Sequence, residues 1–311
     1  MASYTIIGAG IAGLSLALEL ARLGFSVRVI EHRDYAGGIN SIYPGMGEFI
    51  GSAVRSVDIK YGNSAVSIND AYYEVWKSGY RELDNNAIVA TGFRTMAPPE
   101  LGIYGDRPAG IYPFHAVLDL LRYGLLPGRN IVIYGDNIYA ALLGKSLLEK
   151  GCSVTLVLPN KLDLGGAIKD VRVLRGRVKY VKGLGRVERV LVNEEWVNAD
   201  TLVISMFKPY NPFSRLRAVG QAVIETYDPG IVIESGRILA GELVGHEHVL
   251  IDSDVPVFPG NRVSRDSRRV IVMLKGGGRV LINDKEYVIT GDAEVIELPD
   301  TDKVVIRRVM Q

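Results

Sequence analysis

The chain carries a single cysteine in 311 residues, which excludes an internal disulfide, a Cys-x-x-Cys redox pair and a thiolate metal cage. It also lacks net charge: 36 Lys+Arg against 35 Asp+Glu leave a formal +1. Nucleic acid and acidic membranes require a basic surplus on one face, so neither is an expected partner. Long hydrophobic runs are missing as well. The uncharged apolar stretch at 4–18, YTIIGAGIAGLSLAL, is about fifteen residues, short of the roughly twenty that span a bilayer. Met1-Ala2-Ser3 puts no basic residue before it, so it does not read as a signal-peptide core, and a cytoplasmic location is expected. Glutamine occurs only at positions 221 and 311, and arginine outnumbers lysine two to one, a compositional pointer to a thermophilic source.

Glycine is abundant instead, with 35 residues, about one in nine, against the ~7% of an average chain. It follows no G-X-Y period, so these glycines serve turns and close backbone approaches. At 48% hydrophobic and 23% charged residues the composition is that of an ordinary globular protein, long enough for two domains.

The opening segment reads as a dinucleotide site. An apolar strand at 3–7 runs into Gly8-Ala9-Gly10-Ile11-Ala12-Gly13, a helical pattern continues to Arg22, Gly24 ends it, and a second strand closes on Glu31. The first glycine makes the tight turn, the second lets a pyrophosphate reach the backbone, and the third lets helix pack on strand. The helix N-terminus offers free N–H groups, and an acid roughly twenty residues on can bind a ribose hydroxyl pair.

Further along, Met46–Val57 reads as a helix and Tyr72–Trp76 and Ala87–Ala90 as strands, before a Pro/Gly-rich crossing near 97–113. The opening theme then returns. Phe114–Arg122 reads as a helix, Asn130–Tyr134 as a strand and Gly135-Asp136-Asn137-Ile138-Tyr139-Ala140 as the turn, followed by a helix to Lys150 and a strand at Val154–Leu158. This second turn has Asn137 for the middle glycine and Ala140 for the last, and no acid follows Leu158. With Lys161 nearby, that leans toward NADPH over NADH. Residues 221–240 read as two short strands. From about Pro256, short β-rich runs separated by turn residues predict an antiparallel meander.

Four signals in order, GAGIAG with Glu31, AGGIN at 36–40, VATG at 89–92 and ILAGELVGHEHV at 238–249, resemble the two-dinucleotide-domain flavoproteins of the thioredoxin-reductase-like, or pyridine nucleotide–disulfide oxidoreductase, superfamily. Residues 105–135 are most similar to the flavoproteins that accompany anaerobic glycerol-3-phosphate dehydrogenase and dye-linked proline dehydrogenase. The resemblance implies an α/β fold of two Rossmann-like domains, with the FAD domain in two segments, 1–104 and 216–256. An NAD(P)-binding-like domain at 105–215 lies between them, and a β-rich extension follows at 257–311. It implies that Gly8, Gly10, Gly13 and Glu31 hold the ADP half of FAD, with Arg33 either reaching its adenosine or pyrophosphate or standing as a solvated surface charge. Gly37, Gly38, Thr91 and Gly92 would flank the cofactor, and Gly241 and Glu242 would close on its ribityl chain. Gly135, Asn137 and Ala140 would face NAD(P).

No catalytic dyad is visible, and hydride transfer from nicotinamide to flavin needs orientation more than a protein acid or base. Cys152, opening a buried strand, reads as an inert thiol. His246 and His248 with Asp252 and Asp254 match no established metal motif, so no metal is expected. The resulting expectation is an FAD-dependent oxidoreductase exchanging electrons with NAD(P)H, either beside a second dehydrogenase subunit or as a homo-oligomer. A self-sufficient NAD(P)H oxidase or acceptor reductase, and a non-catalytic flavoprotein with a lapsed NAD(P) site, are the alternatives. The extension reads either as a docking surface or flavin cover or as simple packing on the α/β body.

Overall fold

A computed structural model describes residues 3–84, 86–160 and 171–309; Lys161 lies outside them. The chain forms two compact units, one from Met1–Ser41, Gly45–Phe93 and Pro209–Gln311, the other from Ile42–Pro44 and Arg94–Lys208.

The first unit opens with β1 (Ser3–Ile7), α1 (Ile11–Arg22), β2 (Ser26–Glu31), α2 (Met46–Ser56) and β3 (Asp58–Tyr61). The antiparallel strands β4 (Ser64–Ile68), β5 (Ala71–Trp76) and β6 (Gly79–Glu82) then form a small sheet before β7 (Ile88–Val89). The middle of the chain supplies β8 (Phe93–Thr95), β9 (Tyr104–Gly105), β10 (Ile111–Pro113), α3 (Phe114–Arg122), β11 (Asn130–Tyr134), α4 (Ile138–Glu149), β12 (Ser153–Leu158) and β13 (Arg172–Arg175). After these come β14 (Val178–Lys182), β15 (Arg189–Val192), β16 (Glu195–Asn198), β17 (Thr201–Ile204) and β18 (Phe207–Pro209). In the second unit β10-β17-β11-β12-β13 form a parallel sheet, and Val132, Val157 and Leu202 from it meet Val181 and Val190 of the β16-β15-β14-β9 sheet in one core. Parallel strands joined by crossover helices are the Rossmann arrangement anticipated for both halves.

The return to the first unit corrects one expectation. After β19 (Arg217–Ala218), residues 221–240 do not form two short strands; Pro229–Val244 is a single helix, α5. Its β-branched residues mimic strand alternation, yet Asp228 caps it by accepting from Gly230 N–H at 2.7 Å, and Pro229 takes the first turn, where its missing N–H costs nothing. The helix is kept by its packing. A Cβ on Gly236 would come within 2.7 Å of both Ala12 O and Leu16 N, so α5 lies backbone-to-backbone on α1. Gly236→Val is therefore expected to cost about 1–3 kcal/mol, read as a lower denaturation midpoint. Gly241→Ala, whose Cβ would have no neighbour nearer than 3.6 Å, is expected to be neutral or mildly stabilising.

The extension comprises β20 (His248–Ser253), β21 (Val257–Phe258), β22 (Arg262–Ser264), β23 (Arg269–Met273), β24 (Gly278–Ile282), β25 (Lys285–Ile289), β26 (Ala293–Glu297) and β27 (Lys303–Arg308). Its strands fall into two sheets, β22-β20-β27-β24-β25 and β21-β23-β26. Pairing is antiparallel throughout except between β20 and β27, which run parallel with Leu250 opposite Lys303. β20 belongs to the extension's larger sheet, so the β-rich part begins at His248 rather than at 257. Val249, Val263, Val270 and Ile306 share one core with Leu14 and Leu20 of α1 and Ile238 of α5, so the extension is packed into the first unit.

Candidate functional site

The first parallel sheet has the order β19-β7-β1-β2-β3. From β1 the chain moves outward through β2 and β3, then returns to the other side of β1 through β7 and β19. The crevice at the carboxyl ends of strands beside such a reversal is where open α/β sheets bind ligands. Glu31 ends β2, and Gly8, Ala90-Thr91-Gly92 and Gly220-Gln221 follow the carboxyl ends of other strands in this sheet.

Each glycine of the first turn has a separate reason. Gly8 has φ +112°, and its Cβ would sit 2.5 Å from Ala90 O. Gly13 lies in α1, where a Cβ would meet Gly8 O at 2.2 Å, so the helix could not close on the turn. Gly10 differs: it is the N-cap of α1, its φ of −68° suits any residue, and a Cβ there would meet nothing nearer than Ala90 O at 4.0 Å. No side chain caps α1. The positive end of its dipole and its first N–H groups are thereby left to an anion, and the space a side chain would fill stays open. The backbone of Gly37 pairs with Gly10, donating to Ala9 O at 2.8 Å, which brings Gly37-Gly38 onto the turn. Thr91 is tied down by its hydroxyl, which donates to Tyr210 O.

Glu31 ends β2 and is 6% exposed. One carboxylate oxygen accepts from Ala9 N–H at 2.8 Å and the other from Arg33 N–H at 3.0 Å, with His32 Nδ1 2.9 Å from the latter oxygen. Burial pushes the carboxyl pKa up, but the His32 and backbone hydrogen bonds outweigh it and the net shift is downward from 4.5. An ionised carboxylate has about four lone-pair sites, so the one that ties the turn to β2 keeps capacity for a ribose hydroxyl. Arg33 is half-buried, its guanidinium 5.9 Å from the Tyr35 ring centroid. These features suit the adenosine and pyrophosphate of a dinucleotide.

Gly241 and Glu242 do not close this site. The segment expected to be the closing strand is α5, where Gly241 faces Ser264 and Ser267 of the extension. The closing parallel strand is β19, and the turn after it is Gly220-Gln221. Gly220 has φ +64° and sits so close to α1 that a Cβ would be 2.3 Å from the Ala12 methyl. Gln221 is buried, accepting from Asn40 Nδ2 at 3.2 Å and donating to Thr226 O at 2.8 Å. In the sequence the Val219-Gly220-Gln221 run carries a glutamine in place of an acid, so it lacks the signal of a closing turn.

In the second unit, Gly135 is again obligatory, since a Cβ would meet Ser205 O at 2.3 Å. Here the resemblance to the first turn stops. Asn137 is the N-cap of α4 and is 2% exposed. Its Oδ1 accepts from the N–H of the buried Ala140 at 3.1 Å and its Nδ2 donates to Ser205 O. One donor that α1 leaves open is consumed in α4 by its own cap. The polarity beside the turn is also reversed: the first turn receives a carboxylate from the end of β2, whereas Asn160, beyond β12, donates to a carboxylate on the turn itself, Asp136.

Cys152 is buried with its thiol directed at Gly128 O, 3.5 Å away, and burial pushes its pKa up. Asp252 is engaged by Arg307 at 2.9 Å and Asp254 accepts from Arg308 N–H at 2.8 Å. Among the described residues no three His, Cys, Asp or Glu converge as metal ligands, and no helix is long and apolar enough to cross a membrane.

A model of NAD(P)-binding Rossmann-like domains matches residues 6–83, the segment that holds the first turn. The sequence matches no curated protein. Among solved structures, thioredoxin reductase from T. acidophilum is similar over 75% of this chain and 94% of its own, with 18% identity and a TM-score of 0.56. A NAD-dependent persulfide reductase from A. fulgidus is similar over 90% of this chain and 67% of its own, with 16% identity and a TM-score of 0.60. The water-forming NADH oxidase of Lactobacillus brevis covers 88% of this chain and 75% of its own at 12% identity, with a TM-score of 0.57. At such identities the shared property is the fold alone.

Proposed function

We propose that the chain is an FAD-dependent oxidoreductase that takes electrons from NAD(P)H and passes them to an acceptor outside the chain, as the flavoprotein subunit of a larger dehydrogenase. The observation that carries the reading is the contrast at Gly10: a helix N-terminus with no side-chain cap, open space above it, and the buried Glu31 carboxylate at the neighbouring strand end. Structural relatives described as a flavoprotein disulfide reductase and as an NADH oxidase bound to NADH support the cofactor pair.

In this reading the first-turn N–H groups of α1 hold the pyrophosphate and Glu31 holds the ribose, with Arg33 toward the adenosine. Gly37-Gly38 and Thr91-Gly92 let the backbone approach, and Gln221 stands where the closing turn meets the cofactor. A bound flavin supplies acceptance of a hydride from nicotinamide and its release as electrons. The protein's part is to orient the cofactor and exclude water. One buried cysteine with a raised pKa supports an acceptor other than a cysteine pair of this chain. Absorption spectra of the FAD-reconstituted chain, before and after anaerobic NADH or NADPH, test the reading. Bleaching that reverses only with an added acceptor or partner supports it, rapid reoxidation by oxygen alone marks a self-sufficient oxidase, and a chain that takes up no FAD refutes both.

The capped turn at Asn137 favours a second reading, in which the second unit keeps its fold with a weakened nucleotide site. Asn137→Gly frees the Ala140 N–H and is expected to tighten NAD(P)H binding about three- to tenfold in calorimetry, at a cost of about 1–3 kcal/mol in stability because the buried Ser205 O loses its Asn137 donor. Unchanged affinity would show that phosphate never reaches this helix end.

A further inference from the structure

Glu242, displaced from the dinucleotide site, lies in a charged cluster with no role in the proposed reaction. Its side chain is 3% exposed, and Oε1 accepts from Arg262 Nε at 2.8 Å and from Arg217 Nη2 at 3.3 Å. Oε2 lies 3.0 Å from His248 Nε2 but out of line, so both atoms are buried with no hydrogen-bond partner. Arg217 and Arg262 stand about half-exposed, with side-chain exposures of 46% and 48%. Arg262 spends only Nε on Glu242 and Arg217 only Nη2, and among the described residues the other guanidinium N–H groups of the two make no hydrogen bond.

Both arginines line a cavity of about 310 Å³ between β19, α5 and the loop joining β21 to β22. Asn211 and Asn261 add polar groups to its wall, and Leu239, Val257, Phe258 and Met273 make much of the rest apolar. Glu242 is the one acid in that wall. Two guanidiniums against one carboxylate leave a surplus positive charge in a half-open cleft whose wall is in part apolar. None of the lining residues belongs to the glycine turn, to Gly37-Gly38 or to Glu31.

We propose that this cavity binds a small organic monocarboxylate. Its carboxylate lies between Arg217 and Arg262, which Glu242 holds in position, and its hydrocarbon portion lies against Leu239, Phe258 and Met273. A single surplus charge matches a monoanion, and the apolar wall matches a ligand with a hydrocarbon body. Inorganic phosphate has no hydrocarbon body, and at neutral pH it is in part a dianion. Guanidinium–carboxylate hydrogen bonds are the charge-assisted kind that discriminate acid from amide.

Hydrocinnamate and hydrocinnamamide share a shape and differ in charge, so calorimetric titration of the full chain with each tests the assignment. Hydrocinnamate is expected to bind at least about tenfold more tightly than the amide, and Arg262→Gln or Arg217→Gln to remove about that factor. Met273→Trp, which narrows the cavity from a wall residue that is not a member of the ion cluster, is expected to abolish binding. Arg269→Gln, which breaks a pair with Glu234 away from the cavity, is expected to leave it unchanged. Equal binding of acid and amide, no binding of either, or displacement of hydrocinnamate by inorganic phosphate each overturns the proposal. The acid-against-amide comparison uses the unaltered chain, so it decides the matter even if an arginine variant fails to fold. FAD content is measured in parallel, which separates failure here from failure of the flavin reading.

Discussion

Gly10→Val is expected to give a folded chain that no longer retains FAD, with affinity lowered by at least about a hundredfold, or ~2.7 kcal/mol. The backbone tolerates the change, since φ at Gly10 is −68° and the nearest atom to a Cβ is 4.0 Å away. The added side chain occupies the space above the first N–H groups of α1, where an incoming pyrophosphate must lie. Gly13→Val in the same turn is expected to fail differently. Its Cβ would stand 2.2 Å from Gly8 O and 3.0 Å from the Ala90 methyl carbon, so α1 has to leave the sheet and the fold is lost with the site. Flavin content after gel filtration, read beside a melting curve, separates the two. A Gly10→Val protein that keeps its flavin would refute the assignment of this turn.

The second large effect concerns acid. Burial alone would raise the Glu31 pKa, but hydrogen bonds from His32 and from the Arg33 and Ala9 N–H groups win, leaving the folded value below 4.5. A carboxylate depressed in the folded state contributes stability that is fully present above its unfolded value. That contribution is lost as pH falls through the folded value. The unaltered chain should therefore lose stability on acidification below about 4.5, and Glu31→Gln should remove that component of the profile. At neutral pH the same substitution is expected to cost about 1–3 kcal/mol, because the amide sets a donor against one of two buried backbone donors. Denaturation midpoints at neutral and acidic pH, for both chains, check the sign and the size. A Glu31→Gln protein with an unchanged acid limb would show that another carboxylate governs it.

Much of this site is legible in the sequence because its logic is local. Gly8, Gly10, Gly13 and Glu31 are separated by one helix and one strand, each with unambiguous periodicity, and their spacing alone sets up the turn and its acid. Gly37-Gly38 lie just beyond, and the structure brings them onto the turn. What the sequence concealed depends on distant partners. The segment 229–244 holds enough β-branched residues to resemble strands, and only the backbone contact of Gly236 with α1, more than two hundred residues away, explains why it is helical. A strand-like pattern over 221–240 points to Gly241-Glu242 as the closing turn, whereas β19 places that turn at Gly220-Gln221. The substitution of Asn137 for glycine is visible, but its consequence is not, because its amide is completed by Ser205, just beyond the end of β17. The β-rich character of the extension was clear from its turn residues, whereas strand order depends on which edges meet in space.

That strand order has a kinetic consequence. β27 is formed by residues 303–308, yet it sits in the middle of its sheet, parallel to β20 on one side and antiparallel to β24 on the other. The contact between Leu250 and Lys303 closes a loop of about fifty residues, an entropy cost that must be met before any of that pairing is rewarded. During synthesis the first dinucleotide turn can assemble early and β20 can pair with β22 soon after, but the other edge of β20 must wait until nearly the whole extension has emerged. The part of the chain with the least obvious chemistry is thus the part that sets when the first unit becomes complete.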